Sequence, residues 1–168
     1  VMIHVAPHAR DLGFETTQAA KVLSTIGAAS ILGRIILGGA ADRLGGKHTL
    51  IIAYAILSAS LIWLMFIREP SILFLFAPVY GFTHGAFFTL ISPTVAELFG
   101  TRSHGVIFAV VLFHGTIGGA LSPLVAGYVF DTVGSYQPVF ACLAGLAVTG
   151  LVLVQFLQSN SLAEIEVT

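Results

Sequence analysis

Residues 103–130 read SHGVIFAVVLFHGTIGGALSPLVAGYVF, a stretch with no Asp, Glu, Lys or Arg. A helix needs about 20 apolar residues to cross ~30 Å of hydrocarbon at 1.5 Å per residue, so this stretch is long enough to span a bilayer. Charge-free stretches also run over 48–67, 70–96 and 132–163, and 19–41 carries Arg34 as its one interior charge. Hydrophobic residues make up 57% of the chain and charged residues 9%, with a mean hydropathy of +0.97. A soluble domain carries roughly 25% charged residues, so this surface faces hydrocarbon.

Backbone amides in lipid are satisfied within their own segment, which makes each span a helix. The expected architecture is all-α and integral to the membrane, in one domain covering 1–157. Its pieces are a truncated first helix (1–9) and spans at 19–41, 49–67, 72–96, 105–130 and 138–157, followed by a polar tail (158–168). Pro78, Pro93 and Pro123 fall inside spans, where bundled membrane helices tolerate them. Val1–Ala9 is apolar, too short to span and without the basic start of a signal peptide. It reads as the end of a helix whose beginning lies upstream, so the chain is expected to be a fragment.

Net charge is −1, which argues against nucleic acid as a partner. The single cysteine, Cys142, excludes an internal disulfide framework. No G-x-x-x-x-G-K-[ST] motif is present, so hydrolysis of a nucleotide is not encoded here. An embedded enzyme would need a nucleophile–base pair or a metal cluster at one depth, and only scattered histidines occur. No enzyme activity, cofactor or metal is therefore expected.

An internal repeat is visible. Gly38-Gly-Ala-Ala-Asp42-Arg-Leu-Gly45 closes one span, and Gly127-Tyr-Val-Phe-Asp131-Thr-Val-Gly134 closes the span three helices later. Three intervening crossings put the two loops on opposite faces, which is an inverted repeat of three plus three helices. The first loop carries Arg43 and Lys47 while the second carries neither Lys nor Arg, so the basic loop and the tail are expected to be cytoplasmic.

The run from Gly33 to Lys47, with Gly38, Asp42, Arg43, Gly45 and Lys47 in register, resembles the loop signature G-x-x-x-D-R-x-G-R-[RK] of the major facilitator superfamily. Gly46 stands where that family often has Arg. Asp42 is suited to facing a helix N-terminus, and Arg43 and Lys47 to anchoring at anionic lipid. Glu97 and Arg102 flank a loop and are read as forming an interface ion pair with Asp42 or lipid, and Asp131 as a cap of the last helix. The stretches 8–13, 96–100 and 118–136 are similar to bacterial monocarboxylate transporters and oxalate/formate antiporter relatives. The resemblance implies the carboxy-terminal half of a secondary transporter in the cell membrane, partnered by a missing amino-terminal half and working by alternating access. The implied cargo is a small organic anion, moved by proton symport or by exchange. A facilitator of drugs or other metabolites and a flux-free sensor remain the alternatives.

Within that frame Arg34 is the leading substrate contact. A mid-membrane arginine costs at least ~2.5–3.5 kcal/mol, so it should face a cavity or a partner. Ser24, Gly27, Ser30, Arg34 and Gly38 recur at spacings of three and four, giving one small or polar face. A guanidinium grips a carboxylate with two parallel hydrogen bonds. In the resembled families an arginine at this place contacts the substrate carboxylate, and the monocarboxylate transporters carry an Asp where this chain has Ser30. His114 is expected at the same depth as Arg34 from helical rise alone, able to bind the anion or carry a proton. His84, beside Thr83, is a further pathway candidate. His4 and His8 share one helix face at i, i+4 and read as gating or pathway residues, since no third ligand supports a metal.

Overall fold

The computed structural model describes residues 15–158 together with Val5, Pro7, Ala9 and Gly13. Its helices are α1 (Thr16–Leu44), α2 (Gly46–Phe66), α3 (Pro70–Phe99), α4 (His104–Val133) and α5 (Gln137–Phe156), and among the described residues there is no strand. All five are long and apolar enough to cross a membrane. Most helices run past the charge-free stretches: Asp42 and Arg43 lie in the last turns of α1, Glu97 in α3 and Asp131 in α4. A charge-free window marks the hydrocarbon, and the helix continues into the headgroups. Val5, Pro7 and Ala9 are helical, with Val5 and Ala9 fully buried against the bundle. The rest of the expected first helix, with His4 and His8, lies outside the described residues, as does the tail from 159 onward.

The bundle is organised around α3, which lies against α1 along its length and against α2 as well. The α1–α3 crossing is close enough for backbone to touch backbone. A Cβ on Gly81 would stand 2.4 Å from the Ile26 carbonyl oxygen, and one on Gly85 2.2 Å from that of Ser30. Gly33 faces the Phe82 carbonyl in the same way, so glycines from both helices build the seam. Without water to drive association, membrane helices pack through such small residues.

Two apolar clusters fill the remaining space. The larger joins Val22, Ile26, Leu64, Phe76 and Phe140; the smaller joins Leu37, Ala53, Ala86 and Leu90. The last helix, α5, is pinned to α2 at both ends. Gln137 Nε2 donates to the Met65 carbonyl (3.3 Å) where α2 ends, and the Lys47 ammonium donates to the Gln155 (3.4 Å) and Leu157 carbonyls where α2 begins.

Gly45, Gly100 and Gly134 each close a helix, so this ending is not peculiar to the repeated motif. Gly45 and Gly134 both close a helix with positive φ, +86° and +70°, their N–H groups bonding to Ala41 (3.0 Å) and Phe130 (2.7 Å). Helix α4 stands apart from this order: Ala126 is its one buried residue.

Candidate functional site

The glycine seam decides what surrounds Arg34. Because Gly33 sits on Phe82 and Ser30 on Gly85, the next residue of α1, Arg34, is carried at the edge of the stretch that packs against Phe82–Gly85. Arg34 is exposed and His84 is half-buried. Among the described residues Arg34 has no hydrogen-bond or ion-pair partner. An unneutralised guanidinium within a span is costly unless an anion or water meets it.

Ser30 belongs to the seam more than to an open face. Its backbone packs on Gly85, and its hydroxyl donates to the Gly27 carbonyl of its own helix (2.7 Å). His84 is the third layer of a ring column on α3: Phe76–Tyr80 (5.4 Å between centroids), Tyr80–His84 (5.3 Å) and His84–Phe88 (6.1 Å). Tyr80 Oη lies 3.4 Å from His84 Nδ1. Reading the sequence missed Tyr80, although Phe76, Tyr80, His84 and Phe88 recur every four residues and so share one face.

The structure does not bring His114 into this group. It is exposed on α4, its Nδ1 within 2.8 Å of the Val110 carbonyl one turn back, and among the described residues no hydrogen bond joins it to Arg34. Rise along a helix gives depth, whereas meeting across a bundle also needs the right face and a neighbouring helix.

At the other end of α1 the loop signature is a joint. Glu97 accepts from the Lys47 N–H (3.0 Å), placing a carboxylate at the positive start of α2. Glu97 thereby ties α3 to the start of α2, a contact not expected from the sequence. Lys47 is likewise turned onto the α5 carbonyls instead of lipid. Gly46 has a packing role, since a Cβ there would lie 2.6 Å from the Thr94 nitrogen. An arginine in its place would have to push α2 off α3. A Cβ on Gly38 would meet the Thr89 methyl at 3.0 Å, and Arg43 is exposed. Asp42 opens on a groove of about 570 Å³ shared with Ser92, Thr101 and His104 at the start of α4. Among the described residues Asp131 makes no cap on α5: the N-cap is Tyr136, with no side-chain capping bond, and Ser135 Oγ receives the Gln137 N–H (3.2 Å).

A bundle of five helices long and apolar enough to cross a membrane is the fold of a multi-pass membrane protein. The sequence matches the Major Facilitator Superfamily over residues 1–166, and the chain belongs to that family, whose members are transporters and not enzymes. It is similar to monocarboxylate transporter 12 of Rattus norvegicus, 31% identical over 151 residues, covering 88% of this chain and 31% of the relative. It is also similar to the Mus musculus protein of the same name (32%; 88% and 31% covered) and to monocarboxylate transporter 13 of Bos taurus (29%; 88% and 35%). The chain thus spans about a third of the length of the curated relatives it matches.

Proposed function

We propose that this chain forms the carboxy-terminal six-helix half of a carrier for small organic anions, monocarboxylates or oxalate and formate, coupled to protons or to exchange. The observation that carries this reading is Arg34: a guanidinium in mid-span, exposed, and without an ion-pair partner among the described residues. A carboxylate would neutralise it through two parallel hydrogen bonds. The relatives' name adds support, because those proteins are monocarboxylate transporters. Ser30 would shape the edge of the site, and His84 would be the nearest second group. His114 would contribute from α4 if the pathway runs between it and α1.

The other half of the carrier would cover α4 and complete the site, and rocking of the halves would expose Arg34 to each side in turn. The carrier would sit in the cell membrane with the basic 42–48 loop and the tail in the cytoplasm. His4 and His8 would lie on the pathway near its outer mouth.

The test is uptake of labelled formate, lactate, pyruvate and oxalate by the full-length protein in proteoliposomes, with and without an inward proton gradient. Arg34→Gln should lower uptake of the transported anion about ten- to hundredfold, the worth of a charge-assisted hydrogen-bond pair. Uptake that survives in a folded variant would make Arg34 structural. Absence of carboxylate uptake by the parent would move the reading to a carrier of other metabolites or drugs, and absence of any flux to a sensor.

A further inference from the structure

We infer that the Tyr80–His84 pair on α3 is the proton-carrying group of this carrier, with His84 as the protonated ring and Tyr80 as its positioning residue. This rests on the anion reading of Arg34 and assigns the coupling to α3, not to His114. The geometry has three parts. Tyr80, 5% exposed, is fixed in the core between Phe76 and His84, and its Oη lies 3.4 Å from Nδ1. His84 is half-buried at the seam, where Gly85 packs on Ser30. Arg34 lies one helical turn past Ser30, the residue whose backbone packs on Gly85 next to His84.

Among the described residues, the titratable or charged groups facing His84 are Arg34 from α1 and Tyr80 from α3 itself. Helix α2 gives Tyr54, which packs on Phe87 (4.7 Å) and against Gly150. Helix α4 meets α3 near Ser92, where His104 is bonded, 3.2 Å away.

Two neighbouring cations repel in a site of low dielectric. With the site empty, Arg34 holds the charge and the ring stays neutral. A bound carboxylate neutralises Arg34, and the imidazole can then accept a proton from water on the loading side. In the imidazolium both nitrogens donate: Nδ1–H to Tyr80 Oη, and Nε2–H toward the anion. On the far side the anion leaves and the proton returns to water. No covalent bond other than N–H forms or breaks. One anion and one proton enter and leave together, so the loaded and empty carriers bear the same charge, and net transport is electroneutral.

The experiment uses the full-length carrier in proteoliposomes with labelled lactate, measuring net uptake, its dependence on pH gradient and on an imposed potassium diffusion potential, and lactate–lactate exchange. His84→Gln should weaken lactate–lactate exchange without abolishing it, lose stimulation by the proton gradient, and make the remaining net uptake respond to voltage. Tyr80→Phe keeps the ring stack and removes the hydroxyl, so gradient-driven uptake should persist with its pH midpoint moved to lower pH. Stimulation that survives in His84→Gln, or a folded variant inactive in both modes, overturns the proton assignment. If His84→Gln does not fold, an unmoved midpoint in Tyr80→Phe overturns it. Each of these leaves the anion reading standing; loss of that reading shows separately, as a parent without carboxylate uptake.

Discussion

Two regions of one bundle are built on opposite terms. Along the α1–α3 seam, glycines let carbonyl oxygens and α-carbons meet with no room for a methyl group. On α4, Gly115, Gly118 and Gly119 have nothing within 4 Å of where a side chain would begin. The composition is alike, yet one stretch of glycines is closed by a neighbour and the other is open. Small residues therefore do not themselves specify packing. What separates the two regions is the register that brings Gly33, Gly81 and Gly85 to one crossing.

Breaking the seam should give the largest effect. Gly85→Val would place a Cβ 2.2 Å from a carbonyl oxygen of α1, and that obstacle is backbone, which cannot rotate away. Overpacking costs about 1–3 kcal/mol where side chains yield, so this variant should exceed about 3 kcal/mol. The expected outcome is loss of the monodisperse peak in detergent size-exclusion chromatography. A folded Gly85→Val carrier would refute the close crossing, and with it the placement of Arg34 at its edge.

The twin helix ends come next, because they look alike in sequence and differ in backbone. Gly45 holds φ +86° and ψ 154°, a region open to little but glycine, while Gly134 holds φ +70° and ψ 16°, the left-handed helical region. Gly45→Ala should therefore cost about 2–3 kcal/mol and Gly134→Ala about 1 kcal/mol. Thermal melting of the two variants in one detergent orders them. Equal shifts would mean that the two ends of the repeat are interchangeable. Lys47→Ala should fall below both, at about 0.5 kcal/mol, since it removes hydrogen bonds from a charged donor at a part-exposed site. Its further expected consequence is faster proteolysis at the end of α5, with the rest of the bundle unchanged.

How much of this was legible follows from the kind of information each feature needs. Charge-free runs are linear, so the helices and their membrane setting could be read from 103–130 and its neighbours. Arg34 stood out because an ionised group in a span is rare. Packing partners were less legible, because helices apolar all round show no preferred face. The spacing of Gly81 and Gly85 was the available signal for the seam, and the four-residue rhythm of Phe76, Tyr80, His84 and Phe88 for the ring column. Lys47 was read as a lipid anchor because its acceptors are backbone carbonyls of α5, a hundred residues on, and every residue has one. His114 was placed by depth, a coordinate that rise supplies, but α4 keeps it away from α1.

The smallest expected effect sharpens the contrast from the other side. Gly118→Ala on α4 meets no atom within 4 Å. In a helix interior alanine is favoured over glycine by about 0.8–1.0 kcal/mol, so melting of the variant should stay within about 1 kcal/mol of the parent or rise slightly. Exposure in this bundle is not exposure in the carrier, however, if the other half closes over α4 as proposed. The two measurements on this one variant then separate. A stability unchanged together with a changed rate of lactate uptake would place Gly118 where the halves slide on each other. Stability and uptake both unchanged would leave this face of α4 to lipid, and the companion half would have to meet the bundle along α1 and α3.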